Sequence, residues 1–319
     1  SEASALEGEV ERELLKGCGL PPDSPAVLLV CVSAGVDSVA LLLLVAAAAR
    51  RRPRWRVEVL HFNHGLRPEA AAEESFVRRL AAERQLECHV RHASPGQFEG
   101  PGGLQDLARK WRRSEAEALL CERACSALPA GCTDGAVLLA HHLDDQVETQ
   151  LLKLLRGAHL CHLAGMRPRD GIFARPLLGL RKCQLVEYLH AGGQEWMEDA
   201  SNAKTVYQRN RVRLQLVPLL AELCGGEGAL ARRCEALADQ STQLADWLDA
   251  ECGEHAVRAV SPSRLELPTG PEFRALPVLV RHELVFRFVS RAVQGEPPSY
   301  PTVRRIVAAA SGPAPAHPW

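Results

Sequence analysis

Residues 26–49 read AVLLVCVSAGVDSVALLLLVAAAA. Ala26 to Val32 is a continuous β-prone apolar run, and Val39 to Ala49 is apolar and long enough for a buried helix. Between them lies the glycine-containing loop Ser33-Ala34-Gly35-Val36-Asp37-Ser38. The order is therefore strand, loop, helix. Such a junction offers free backbone N–H groups and the positive end of a helix dipole, so it favours an anion such as phosphate. The loop is not G-x-x-x-x-G-K-S/T, because it has no lysine, and it is not the G-x-G-x-x-G dinucleotide fingerprint. Asp37 would repel bound phosphates unless a divalent cation lay between them, which predicts Mg²⁺ at Asp37. Taken alone, the six residues also fit an ordinary strand-to-helix turn with Asp37 and Ser38 in the first turn.

Outward from this unit the pattern repeats. Val57 to Phe62, Leu86 to Val90 and Ala136 to Ala140 are further short apolar runs. Glu69 to Arg84, Leu104 to Leu128 and Asp144 to Leu155 read as amphipathic helices between or after them. This alternation predicts a doubly wound, mostly parallel α/β sheet with helices on both faces. After about Leu214 the strand signal fades, and Leu216 to Leu223, Ala229 to Glu251 and Pro277 to Val293 are helix-patterned. The expected organisation is a catalytic α/β domain over residues 1–215 and a smaller all-helical substrate domain over 216–319, with a frayed tail from Ser311.

Composition limits the functional classes. The 319 residues are 46% hydrophobic with a formal net charge of −1, so the chain can bury a core and is not an overall electrostatic binder of nucleic acid. Val39 to Ala49, the longest apolar run, falls well short of the ~20 residues a spanning helix needs, so no membrane segment is expected. Eleven cysteines, an odd number without C-x-x-C spacing, read as core residues in a reducing compartment rather than a disulfide or zinc framework. Of 38 basic residues only five are Lys, so the Arg excess by itself says little about function. Ser1 in place of an initiating methionine suggests a removed start or targeting peptide.

Four further segments carry chemistry. His61-Phe62-Asn63-His64-Gly65-Leu66-Arg67 follows the second strand run, where doubly wound sheets place ligands, although both histidines also fit simple backbone hydrogen bonding. Arg109, Arg112 and Arg113 fall within one helical turn and can reach common phosphates or RNA, or form a solvated basic face. In Ala140-His141-His142-Leu143-Asp144-Asp145-Gln146-Val147-Glu148, a helix would align His141, Asp145 and Glu148 at i, i+4 and i+7. Lys204, Arg209, Arg211 and Arg213 concentrate positive charge where RNA could bind.

These segments, with Leu154-Leu155-Arg156-Gly157, Leu163-Ala164-Gly165-Met166, Arg175-Pro176-Leu177-Leu178 and Glu198-Asp199-Ala200-Ser201-Asn202, resemble the N-type ATP pyrophosphatases in order. Among those, they are similar to the tRNA(Ile)-lysidine synthetases. The family loop is S-G-G-x-D-S, so Ala34 departs from it and costs on the order of 1 kcal/mol if its φ is positive; Arg113 replaces a tyrosine. The resemblance implies ATP bound by Ser33 to Ser38, His61, Asn63, His64, Arg109, Arg112 and Arg175, with Mg²⁺ at Asp37. It implies catalysis by Asp37, His141, Asp145 and Glu148, free L-lysine held at Asp145 and Glu148, and a tRNA-Ile with a CAU anticodon contacted by Arg67, Lys204, Arg209, Arg211 and Arg213. The wobble cytidine is adenylated and lysine then displaces AMP. The setting is bacterial cytoplasm, or organelle stroma or matrix after removal of a transit peptide. The extra C-terminal domains of longer members are expected to be absent, and a homodimer stays open. The alternatives are a tRNA-thiolating relative, against which the lack of paired cysteines counts, and a non-catalytic nucleotide- or RNA-binding relative.

Overall fold

The computed structural model describes residues 2–65, 69–94, 96–98, 103–127, 134–198, 208–253, 258–261, 264–267, 269–293 and 298–311. In chain order it opens with α1 (Glu2–Lys16), β1 (Ala26–Cys31), α2 (Val36–Arg50), β2 (Trp55–Asn63), α3 (Ala70–Glu83) and β3 (Glu87–His92). Next come α4 (Leu104–Ala127), β4 (Gly135–Leu138), α5 (Leu143–Leu155), a 3₁₀ turn at Leu160–His162, β5 (Arg169–Asp170), β6 (Phe173–Ala174) and α6 (Lys182–Ala191). The remainder is α7 (Gln208–Arg211), a π-helical turn at Val212–Leu216, α8 (Val217–Cys224), α9 (Glu227–Gly253), β7 (Arg258–Ser261), β8 (Arg264–Glu266), α10 (Pro271–Ala275), α11 (Val278–Ala292) and α12 (Tyr300–Ser311).

β1 sits in the middle of the sheet because it is apolar on both faces. Ala26, Leu28 and Val30 enter one core with α1, α2, α3 and α6, while Val27 and Leu29 enter another with Leu119 and Leu120 of α4. A strand buried on both sides needs helices above and below it, which is the physical content of the doubly wound reading. The order β3-β2-β1-β4-β6-β5 is parallel except for β5 against β6. It reverses between β1 and β4, and ligands bind at such a point, outside the carboxyl ends of the strands.

The chain divides into two compact units, Ser1–Gln146 with Met166–Asn210, and Val147–Gly165 with Arg211–Trp319. The division falls within α5, so the segment Val147–Gly165 goes with the later helices rather than with the first 215 residues. The second unit is built around Leu248, Cys252, Val280, Leu284, Val285 and Val303. It is helical apart from the antiparallel β7–β8 ribbon, which the helical patterning does not anticipate. The tail beyond Ser311 lies outside the described residues. No single described helix is long and apolar enough to cross a membrane.

One buried charge secures the strands that deliver the site. Glu58 of β2 is 0% exposed and accepts hydrogen bonds from Arg123 Nε of α4 at 2.8 Å and His89 Nε2 of β3 at 2.8 Å. Burial raises its pKa, but the bonds from His89 and Arg123 and the charge of Arg56 outweigh that and hold it near 2. A depressed carboxyl contributes stability that is present above its ordinary 4.5 and is lost as pH falls through about 2. Replacing Glu58 by Gln is therefore expected to cost roughly 3 kcal/mol at pH 7, because the buried carboxylate shared by His89 and Arg123 is lost and Arg123 keeps only the exposed Glu87. Urea unfolding from pH 7 to pH 2 should show that cost shrinking below pH 4.5.

Candidate functional site

The loop between β1 and α2 is tied internally. Ser38 Oγ accepts from the Ser33 N–H at 3.0 Å and donates to the Gly35 carbonyl at 2.9 Å. Gly35 is extended, with φ −73° and ψ 159°, and α2 starts behind it. Ala34 has φ +66° and is fully buried, and its carbonyl accepts from the Met197 N–H at 3.0 Å. The left-handed position that a glycine would relieve is thus occupied by alanine, whose methyl packs into the main core.

Asp37, in the first turn of α2, faces two cations. Lys182 Nζ, on the first residue of α6, lies 3.4 Å from Asp37 Oδ2, and His142 Nε2 lies 3.6 Å from Oδ1. Burial raises Asp37, but the imidazole and the ammonium outweigh it and bring its pKa below the usual value. His142 also lies 3.3 Å from Asp144 Oδ2 and 3.5 Å from Asp145 Oδ2. Burial lowers His142, yet Asp144, Asp37 and Asp145 together lift it to about 9. Asp144 Oδ2 accepts from the Lys182 backbone N–H at 2.8 Å, so the carboxylate that charges His142 also fixes the start of α6 and places Lys182.

His141 behaves oppositely. Burial drives it down to about 4, with Asp145 opposing and Arg175, Arg209 and Arg109 adding to the depression. It precedes α5, which begins at Leu143, so only Asp145 and Glu148 of the expected three-residue stripe lie on the helix. Arg175, directly after β6, is buried, and its Nη1 donates to the Arg167 carbonyl at 3.0 Å. Arg109 and Arg112 are exposed on α4, whereas the guanidinium of Arg113 lies 4.0 Å from the Phe173 ring centroid and does not join them.

His61 and Asn63 serve the local framework. His61 Nδ1 donates to the Val32 carbonyl at 2.8 Å, holding the end of β1 against β2. Asn63 Oδ1 accepts from the Gly65 N–H at 2.9 Å while its Nδ2 donates to Glu74 at 2.8 Å. His64 packs edge-on against Trp111 at 5.2 Å and Phe98 at 5.7 Å. Arg67, Lys204 and the motif residues 199–203 lie outside the described residues. Arg209 Nη2 donates to Asp145 at 2.8 Å, and Arg213 holds the buried Glu148 through Nε at 2.5 Å and Nη2 at 3.2 Å. Two arginines expected at RNA thus pair with the two carboxylates expected at lysine. Arg211 is exposed, with Nε 3.5 Å from Gln215.

Several buried polar atoms of this region make no hydrogen bond among the described residues, among them Asp37 Oδ1, His61 Nε2, His141 Nδ1 and Arg175 Nε. They belong to the carboxyl ends of β1, β2, β4 and β6, where the strand order reverses, and buried polar groups of this kind call for a polar ligand. Lys182, His142 and Asp144 were not singled out in the sequence as site residues. Lys182 had one signal, its rarity, since it is one of five lysines among 38 basic residues.

A PP-loop domain family matches residues 7–220. The tRNA(Ile)-lysidine synthase of Thermus thermophilus is 36% identical over 263 residues, covering 82% of this chain and 46% of that protein. That of Mycolicibacterium paratuberculosis is 39% identical over 232 residues, 72% of this chain and 65% of that one. The chain thus spans about half the length of the first of these relatives. Among solved structures, the U34-tRNA thiolase from Methanococcus maripaludis with its 4Fe-4S cluster superposes with a TM-score of 0.57 at 14% identity, covering 74% of this chain and 80% of that one, a likeness of fold alone.

The loop geometry yields a direct test at Ala34. Glycine there relieves about 1 kcal/mol of strain but loosens the unfolded chain by a similar amount, so Ala34→Gly should change stability by less than about 1 kcal/mol. Ala34→Val puts a β-branched side chain at positive φ in a filled space and should cost about 2 kcal/mol or more. Urea midpoints of the two variants measure both.

Proposed function

Because the chain belongs to the PP-loop domain family, we propose that it uses ATP to adenylate a tRNA base and then replaces the AMP with lysine. The base is the wobble cytidine of a tRNA-Ile with a CAU anticodon, and the product is lysidine. The buried His61 Nε2, His141 Nδ1 and Arg175 Nε at the strand ends, which make no hydrogen bond among the described residues, carry the nucleotide half of this reading; the similarity to lysidine synthases supports the tRNA and lysine half.

In this reading the backbone N–H groups of the Ser33 to Ser38 loop hold the β and γ phosphates at the start of α2. The cytidine carbonyl oxygen attacks the α-phosphorus, the bond to the bridging oxygen breaks, and pyrophosphate leaves. His141, neutral at physiological pH, donates a hydrogen bond to the α-phosphate, and Arg175, Arg109 and Arg112 take up its developing charge. Asp37 Oδ1 makes no hydrogen bond among the described residues but faces the His142 imidazole at 3.6 Å, so a magnesium ion at this carboxylate would share it with His142 and Lys182. Bound there, Mg²⁺ would neutralise charge between that carboxylate and the phosphates.

Lysine then attacks the ring carbon and AMP departs. Its ε-ammonium, with a solution pKa of ~10.4, is attracted by carboxylates and must give up a proton before it can attack. We assign binding and deprotonation to Asp145 and Glu148, three residues apart on α5. Each now has a guanidinium partner, Arg209 or Arg213, which an arriving ammonium has to displace or share. The exposed Arg211, with Arg67, Lys204, Arg209 and Arg213, is assigned to the tRNA backbone.

Incubation with ATP, lysine and a CAU-anticodon transcript is expected to release AMP only when lysine is present. Glu148→Gln should lower that release about 10²-fold while lysine-independent adenylation of the tRNA persists. Release that needs a sulfur donor instead of lysine, or no release at all, overturns the proposal.

A further inference from the structure

The second unit holds a side-chain cluster that the proposed reaction does not use. His159-Leu160-Cys161-His162 forms and borders the 3₁₀ turn, and α11 brings Glu283 against it. Cys161 is 3% exposed and Glu283 2%. His159 Nδ1 lies 3.0 Å from Cys161 Sγ, which lies 3.3 Å from Glu283 Oε2. These three atoms are all within 4.8 Å of one another, and His162 Nε2 is 3.5 Å from the same glutamate oxygen. In a tetrahedral site with metal–ligand bonds of about 2.0–2.3 Å, ligand atoms stand roughly 3.3–3.8 Å apart. The neighbouring separations of 3.0, 3.3 and 3.5 Å already match that spacing to within a few tenths of an ångström.

The surroundings have the form of a metal site's outer support. Arg287 Nε donates to Glu283 Oε1 at 2.7 Å and is itself held by Asp249, so Oε2 alone is presented to the cluster. His162 Nε2 is buried and makes no hydrogen bond among the described residues. Burial, with the Glu283 carboxylate beside it, pushes the Cys161 thiol up to about 12, which without an ion leaves it a protonated donor to Glu283. The other close grouping of this kind among the described residues, Glu58 with Glu87 and His89, is already neutralised by Arg56 and Arg123 and offers nothing to a cation.

We propose that His159 Nδ1, Cys161 Sγ and Glu283 Oε2, with His162 Nε2 as the fourth donor, form a zinc site that pins the 3₁₀ turn to α11. A thiolate with imidazoles and one carboxylate suits Zn²⁺, whereas Mg²⁺ and Ca²⁺ take all-oxygen shells. On binding, a Zn–S bond replaces the S–H bond and the proton passes to solvent. Four protein donors close the shell, so the role is structural.

The test uses the full chain without a histidine tag, purified from zinc-supplemented cells and dialysed. Elemental analysis should find about one zinc per chain, with Cys161→Ser and Glu283→Gln each losing most of it while Cys121→Ser, at an exposed position, retains it. Replacing zinc with Co²⁺ in the unmodified chain should give a thiolate-to-metal charge-transfer band, which keeps the proposal falsifiable if a variant fails to fold. His162→Ala should weaken zinc binding about tenfold or more. Negligible zinc in the unmodified chain, a cobalt spectrum without the thiolate band, or a folded Cys161→Ser variant that keeps its zinc overturns it.

Discussion

A half-buried carboxylate at the start of α2 is sustained by cations fixed against it. Asp37 has two, and each comes from a different part of the sheet. His142 extends the line of β4, where it bridges Leu177 beyond β6, and Lys182 opens α6. Asp144 joins these pieces, because its carboxylate accepts the Lys182 N–H and lies beside the His142 ring. The network therefore measures whether β1, β4 and the start of α6 are in register. A slip of one residue in β4 would turn His142 away from Asp37 and leave three carboxylates without their shared cation.

The adjacent histidines show what chain geometry adds to composition. On extended backbone successive side chains leave opposite sides, so His142 faces Asp37, Asp144 and Asp145, while His141 faces Arg175, Arg209 and Arg109. One imidazole is held protonated and the other neutral. The protonated ring balances the acidic network; the neutral ring keeps a buried nitrogen without a hydrogen bond among the described residues.

Much of this was legible in the sequence. β1, β2 and β4 announce themselves because parallel strands buried within the sheet are continuous apolar runs, and the loop, His61 and His141 follow from their places at the ends of those runs, whereas Arg175 is reached only through the family resemblance. β5 and β6 were not legible, since two residues carry no periodicity. The amphipathic signal of α1 is in the chain, with Leu6, Val10 and Leu14 spaced by four, but it precedes the strand from which the alternation is counted. The roles of Lys182 and His142 depend on contacts 145 and 105 positions away along the chain, which no local pattern expresses. The partners of Arg209 and Arg213 are similarly remote, and so two residues read as a basic cluster prove to be counter-ions of Asp145 and Glu148.

The arginine excess then has a physical account that composition alone lacked. Arg51 and Arg52 bind Glu11, Arg123 binds Glu58, Arg209 binds Asp145, Arg213 binds Glu148 and Arg287 binds Glu283. The planar guanidinium suits these fixed pairings better than a lysine ammonium does, because several donors act from one rigid group. These pairings offset arginine charge with carboxylates inside the fold, in keeping with a net charge of −1. In the proposed reaction, a tRNA polyanion at Arg209 or Arg213 would compete with these internal ion pairs and loosen Asp145 or Glu148 for the lysine ammonium. In that arrangement the first substrate prepares the carboxylates for the second.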